Sequence, residues 1–487
     1  MIKRRLKLYP YHTFLVIPFI VLFLYAQNLN ETRPYMTYRT LWIGACVTLL
    51  FFGLFYLWFK DRLKTGVFVT LLLFAFFQYG VLYEFLAALY FKGTWPFKNV
   101  HRYIIFFYLA VFIALAWFFK RTRHDFIRIN YFLNFLIIIL LLFNLARINF
   151  THLHLKDVAT NNALNEKVVF HDKSKMPDIY YIILDGYASN ATLEKYYNFK
   201  NDEFTNTLKR LHFSFCDSAF ANYYFTSQSL STTLNMNYPE TTDNSDERLY
   251  DNLLFKTLKE NNYRIYHLYS GYAVTSDFLN KDSTISIAGP KEFEKSLLRY
   301  TILRLDDLFG LFAYQRLNSQ FKQMYVLPHI RHTPKFCFMH FVAPHPPYIY
   351  TKNGKMRAKQ QFAENAWESK DFYVEQLEYV NKQISKLVTE ILRVNPKAAI
   401  VIQSDHGPWL SLKSREEVFN VRSGILYAYY TNPQIEIPSR TSSVNTFRYL
   451  LNGLFDAKLP VLPDRYAGKS NLLHDPILTK KLIGGED

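Results

Sequence analysis

Five apolar stretches follow one another in the first 148 residues, at roughly Tyr11–Ala26, Leu41–Phe59, Gly66–Phe91, Tyr103–Phe119 and Phe126–Leu145. They constrain the fold more than any other feature. A hydrocarbon core offers no water to backbone N–H and C=O groups, so a single segment crosses it only as a helix that satisfies its own. Each stretch is about long enough for a core of about 30 Å at about 1.5 Å per residue, the first and fourth being short. The reading is a five-helix transmembrane bundle over residues 1–148. No small-residue cleavage site follows the first stretch, so it reads as a retained span and not a signal peptide.

Residues 1–150 hold 17 Lys and Arg against four acidic residues, Glu31, Asp61, Glu84 and Asp125, whereas the remainder holds 40 against 36. Most of the formal net charge of +17 therefore belongs to the apolar third. That disfavours nucleic acid as a partner, because such a binder concentrates its charge on a soluble face. Lys3, Arg4, Arg5, Lys7, Lys60, Arg62, Lys64, Lys120, Arg121, Arg123 and Arg128 flank one side of the spans; Arg33, Arg39, Lys92, Lys98 and Arg102 flank the other. The excess places the N-terminus in the cytoplasm, and an odd number of spans puts everything after about residue 148 outside it. Glu84, inside the third span, reads either as facing a headgroup path or as an interfacial helix-pairing carboxylate. The loop 92–102, with Trp95 and Pro96, reads as an aromatic-belt anchor. Cys46, Cys216 and Cys337 make no disulfide framework.

Residues 149–176 are polar and read as a linker; residues 177–487 read as one extracytoplasmic α/β domain. Two continuous apolar runs there end in carboxylates. Ile179–Leu184 runs into Asp185-Gly186, and Ala399–Ile402 runs into Gln403-Ser404-Asp405-His406-Gly407. Runs without polar alternation are strands buried on both faces of a mostly parallel sheet, and such sheets bind ligands at their carboxyl ends. An oxygen from Asp185 or Asp405 and a nitrogen from His406 suit one divalent cation. Each motif alone also reads as an ordinary turn.

Leu230 and Leu234 recur at helical spacing after Tyr223-Tyr224-Phe225, which puts Thr226 or Ser227 at a helix N-terminus. One of them is an N-cap, or the free N–H groups and positive dipole end there serve an attacking hydroxyl. A third strand-like stretch, Lys335–Tyr348 (KFCFMHFVAPHPPY), runs into Pro344-His345-Pro346-Pro347, whose prolines fix the backbone around His345. An imidazole held so rigidly suits contact with a phosphoryl oxygen or protonation of a leaving group. His340, within the run, reads either as a core histidine or as a weaker site residue.

Asp185, the Thr226-x-x-Ser229 loop, the PHPPY loop and Asp405-His406-Gly407, in that order, resemble the sulfatase-like branch of the alkaline phosphatase superfamily. The five spans before such a domain resemble lipoteichoic acid synthases and lipid A phosphoethanolamine transferases. The resemblance implies an alkaline-phosphatase-like α/β fold and one divalent metal ion (manganese, zinc or magnesium) on Asp185, Thr226, Asp405 and His406. It makes Thr226 the nucleophile, His345 a second catalytic group, and Ser229 and His340 weaker substrate contacts. It implies a bacterial cytoplasmic-membrane enzyme that moves a phospholipid headgroup, phosphoglycerol or phosphoethanolamine, to an envelope glycan or lipid. Two departures stand. Sulfatases carry a C/S-x-P-S-R signature where this chain has Thr226-Ser227-Gln228-Ser229-Leu230, which disfavours sulfate ester hydrolysis, and the named transferases carry Glu where this chain has Asp185. A phosphodiesterase or phosphatase using the same residues, and a catalytically silent scaffold, are the alternatives.

Overall fold

The apolar third becomes helices in the computed structural model, which describes residues 9–29, 32–91, 100–161, 167–239, 244–287, 291–303, 309–358, 368–410, 412 and 414–466. They are α1 (Tyr11–Gln27), α2 (Pro34–Phe59), α3 (Arg62–Phe91), α4 (Val100–Arg121) and α5 (Ile127–Asn161). Four of them, α2 to α5, are long and apolar enough to cross a membrane; α1 is an apolar helix of 17 residues. Trp42, Leu57, Phe106 and Phe135 are each more than half exposed on these helices. Apolar side chains all round a helix are what lipid, not water, solvates. With 35 residues, α5 continues past its apolar stretch into residues 149–161, the first part of the expected linker. Most of the loop 92–102, including Trp95 and Pro96, lies outside the described residues, as do Lys3 to Lys7.

The polar remainder folds as α/β. Its elements are β1 (Ile179–Leu184), α6 (Asn190–Tyr197), α7 (Asp202–Arg210), β2 (Ser214–Phe215), α8 (Thr226–Asn235), α9 (Ser245–Tyr250), α10 (Leu253–Glu260), β3 (Arg264–Leu268) and β4 (Ser283–Ile285). After α11 (Glu292–Arg299) come α12 (Phe309–Gln323), β5 (Lys335–Phe341), α13 (Lys370–Val394), β6 (Ala399–Gln403), α14 (Arg415–Ser423), β7 (Tyr427–Tyr430) and α15 (Thr446–Phe455). The strand order is β2-β7-β6-β1-β5-β3-β4. β6, β1, β5, β3 and β4 run parallel, β7 is antiparallel to β6, and β2 to β7.

Every residue of β1, β5 and β6 is buried, because both faces of the sheet are covered. Tyr180, Ile182 and Leu184 pack with Leu377, Val380, Ile384 and Leu387 of α13. Ile179, Tyr181 and Ile183 face the other way, onto Leu230 and Leu234 of α8 and Phe447 and Leu451 of α15. That double cover explains why these strands read as unbroken apolar runs. Since β5 and β6 lie on opposite sides of β1, the connection through α13 crosses over β1 and leaves a crevice at the strands' carboxyl ends.

The chain divides into two units, residues 1–161 with 290–306, and residues 162–289 with 307–487. α11 belongs to the first although strands of the second flank it in sequence. Its Phe293 and Leu297 are buried with Val16, Val21 and Phe68 of α1 and α3. Glu294 lies 3.3 Å from Arg39, and Arg299 lies 3.6 Å from Glu84. The Gly80 N–H donates to Tyr300 O at 3.0 Å. Of the two readings of Glu84, the pairing carboxylate is the one its position matches.

Candidate active site

Three strand ends meet in the crevice. Asp185 directly follows β1; its N–H donates to Phe341 O (3.0 Å) at the end of β5, and its own carbonyl accepts from the His345 N–H (2.9 Å). Gly186 follows with φ +71°, a left-handed backbone that turns the chain away behind the carboxylate and that glycine adopts without strain. From β6, Asp405 Oδ1 accepts the N–H groups of Gly186 (3.2 Å) and His406 (3.0 Å). Gly407 admits no side chain, since a Cβ would sit 1.9 Å from Val421 O. Ser404 Oγ lies 2.7 Å from Leu184 O and accepts the Tyr187 N–H at 2.8 Å, which ties the two tips together.

The histidine tautomers follow from their partners. His406 Nδ1 lies 3.0 Å from Gly407 O, and a carbonyl only accepts, so Nδ1 carries the proton and Nε2 presents a lone pair. His340 Nδ1 lies 2.7 Å from Thr275 Oγ1, whose own proton goes to Ser270 Oγ (2.9 Å) and whose neighbour Ser270 donates to Tyr272 O (3.2 Å). His340 therefore also donates from Nδ1 and turns its Nε2 lone pair inward.

The His340 lone pair meets a carboxylate and no proton, while that of His406 faces two carboxylates and the Thr226 hydroxyl. His340 Nε2 is 3.5 Å from Asp185 Oδ2; His406 Nε2 is 3.6 Å from Asp185 Oδ1 and 3.4 Å from Asp405 Oδ2. Burial, seconded by the Arg422 guanidinium, pushes His406 down to about 4 against the pull of Asp405 and Asp185, so this imidazole is neutral. Asp185 Oδ1, Asp405 Oδ2 and His340 Nε2 are buried without a hydrogen-bond partner among the described residues. Acceptors facing acceptors in a dry site repel one another, and a divalent cation resolves the repulsion. Ligand atoms of Asp185, His340 and Asp405 lie within 4.8 Å of one another, a group that can hold a metal ion. Two carboxylates and imidazole nitrogens suit zinc or manganese.

Thr226 opens α8, with Phe225 in the N-cap position, and no side chain caps the helix. Its hydroxyl is thus not used as a cap; Oγ1 lies 3.3 Å from His406 Nε2, buried against the cluster. Ser227 points elsewhere and donates to Asp246. Ser229, expected as a weak substrate contact, commits its proton to Asp405 O at 2.6 Å and so braces the ligand-bearing turn. His340, also expected as a weak substrate contact, stands among the carboxylates. His345 sits at the mouth, partly exposed, its ring centroid 6.3 Å from that of His406. Its Nδ1 lies 2.7 Å from Pro346 O, which leaves Nε2 to exchange a proton.

One residue beside the site escaped the sequence reading. Arg422, in the last turn of α14, is buried; it donates to Gly407 O at 2.7 Å and to Tyr224 O, and its guanidinium lies 5.1 Å from the centre of the Trp409 ring. Burial pushes it down to about 10. A basic residue at a helix C-terminus is ordinary in sequence, and no motif marks this one.

The family model described as Sulfatase matches residues 177–424. Among solved structures, the zinc complex of the C-terminal periplasmic domain of EcEptC from Escherichia coli is 14% identical, with a TM-score of 0.44, covering 60% of this chain and 87% of that one. The soluble domain of lipooligosaccharide phosphoethanolamine transferase A from Neisseria meningitidis is 12% identical, TM-score 0.41, covering 59% and 91%. The phosphonate monoester hydrolase of Agrobacterium radiobacter is 14% identical, TM-score 0.42, covering 64% and 78%. No curated protein matches the chain. With the model spanning half of its length and the site residues lying inside the matched region, the chain belongs to the sulfatase family of the alkaline phosphatase superfamily.

Proposed function

We propose that this chain is a membrane-anchored, metal-dependent phosphotransferase that takes a phosphoglycerol or phosphoethanolamine headgroup from a phospholipid and passes it to a hydroxyl of an envelope glycan or lipid. The observation that carries the reading is the Thr226 hydroxyl, uncapped at a helix N-terminus and 3.3 Å from His406 Nε2. Threonine has no thiol to oxidise and stands where the sulfatase signature has Cys or Ser.

Asp185, Asp405, His340 and His406 would hold the cation, whose charge lowers the pKa of a nearby hydroxyl and offsets charge developing on phosphoryl oxygens. Thr226 Oγ1, deprotonated, attacks phosphorus as the bond to the diacylglycerol oxygen breaks, and the positive end of α8 favours the extra negative charge. His345, through Nε2, protonates the departing oxygen. In the second half the acceptor hydroxyl returns a proton to His345 as its oxygen displaces Thr226 from phosphorus. A bundle anchored at the headgroup plane raises the effective concentration of a lipid donor. The positive flanks of the spans support a cytoplasmic N-terminus and a catalytic unit on the opposite side of the cytoplasmic membrane.

The test is intact mass after incubation with mixed phosphatidylglycerol and phosphatidylethanolamine and Zn²⁺ or Mn²⁺, with Thr226→Ala alongside. A headgroup-sized increment on the wild type alone is expected, and its mass names the donor. Diester hydrolysis without an increment would instead make the chain a hydrolase; no metal binding and no turnover would make it a scaffold.

A further inference from the structure

Two loops must keep register for the chemistry above, the one carrying Thr226 and the one carrying Asp405 and His406. Ser229 Oγ ties α8 to Asp405 O on one side. On the Gly407 side the last turn of α14 joins the two loops, and one buried side chain there reaches both. Arg422 donates from one terminal nitrogen to Gly407 O (2.7 Å) and from the other to Tyr224 O, two residues before Thr226. The same Gly407 carbonyl accepts from His406 Nδ1 at 3.0 Å, so the guanidinium and the imidazole share an acceptor. The Arg422 backbone joins in, since its carbonyl accepts the Gly407 N–H at 2.7 Å, and the next residue, Ser423, accepts the Ala221 N–H at 2.8 Å. α14 thus reaches both loops within two residues.

We propose that Arg422 is a positioning residue that clamps the nucleophile loop to the metal-ligand loop, fixing Thr226 Oγ1 relative to His406. The planar fork matters more than the charge. A guanidinium presents its terminal nitrogens at a fixed separation and so spans two carbonyls at once, whereas an ammonium on a flexible stem satisfies one. The Trp409 ring over the guanidinium limits its rotation. An arginine kept only for solubility or helix capping would be exposed; this one is 5% exposed.

The proposal rests on Thr226 as nucleophile, and the test keeps the two apart. Full-length wild type, Arg422→Lys and Arg422→Gln in detergent would be compared in four ways: turnover of bis(p-nitrophenyl) phosphate, Zn²⁺ affinity by chelator competition, melting temperature, and hydrogen exchange of residues 221–229. Turnover of this small diester by wild type does not require transfer to a lipid or glycan, so failure of the transferase reading leaves the comparison intact. The expected result for Arg422→Lys is a kcat lower by about 10–100-fold, the size seen when an outer-sphere partner is lost. KM and Zn²⁺ affinity should stay within about threefold, because the charge is kept, and exchange should quicken across 221–229. Full kcat in Arg422→Lys would show that charge alone suffices and overturn the clamp. A loss of kcat matched by an equal loss of Zn²⁺ affinity and a lowered melting temperature in both variants would reduce Arg422 to a structural role and overturn it equally.

Discussion

β1, β5 and β6 bury a carboxylate at each end, and the two ends treat it in opposite ways. At the amino end, Asp178 accepts from the Lys335 N–H (3.1 Å) and Asn395 Nδ2 (3.0 Å), with the Lys335 ammonium at 3.6 Å. That ammonium also donates to Ile330 O and Pro328 O, so the charge pair is closed by the protein's own groups. At the carboxyl end, Asp185 and Asp405 face two imidazole lone pairs and keep an oxygen each without a partner among the described residues. Burial is equal, at 3% for Asp178 and 2% for Asp185. Burial of charge therefore does not mark the site; incomplete pairing does.

Mutation tests the contrast directly. The largest effect is expected at the open end. Thr226→Ala should cut turnover by on the order of 10⁴-fold or more, while Zn²⁺ still binds and no mass increment forms. Next, Asp185→Asn should weaken Zn²⁺ affinity by more than the roughly 10–100-fold of an outer-sphere change, without destabilising the metal-free protein, since it relieves repulsion. Asp178→Ala should do the reverse, costing about 3–5 kcal/mol of stability by stranding the Lys335 charge while Zn²⁺ affinity holds. If Asp185→Asn destabilised and Asp178→Ala did not, the contrast between the ends would be broken.

A smaller effect sharpens it through pH. His267, buried in β3, donates Nε2–H to Thr275 O (2.9 Å), and burial pushes it down to about 3. Below about pH 6.5 the unfolded chain binds a proton that the folded chain refuses, so stability is complete above 6.5 and falls on acidification toward 3. Unfolding free energy should decline by about 1.4 kcal/mol per pH unit from this group, and His267→Phe should remove that slope without touching Zn²⁺ affinity at neutral pH. Least of all, Glu84→Gln, which breaks a partly exposed pair, should change stability by no more than about 1 kcal/mol.

What was legible in the sequence follows from geometry. Asp185 and Asp405-His406 end unbroken apolar runs, and a strand end is visible in one dimension. Thr226 was visible because the leucines after it repeat at helical spacing. His340 was only half visible. Parallel register pairs it with Ile183 and turns it to the face that carries α8, and cross-strand register leaves no trace in a single chain's order. Arg422 was invisible for the same reason, since its meaning lies in two carbonyls 15 and 198 residues away. Among the spans, the fifth apolar stretch was read as ending where its hydropathy falls, yet α5 continues to Asn161, because a helix propagates through polar residues that carry no breaker.

α11 has a practical consequence. Because residues 290–306 group with the bundle, the chain passes between its two units three times, not once. A cut after α5 therefore leaves two covalent strands joining them. A fragment begun at residue 162 would carry Phe293 and Leu297 without the helices that bury them, an eight-residue amphipathic strip ready to seek detergent, lipid or another copy of itself.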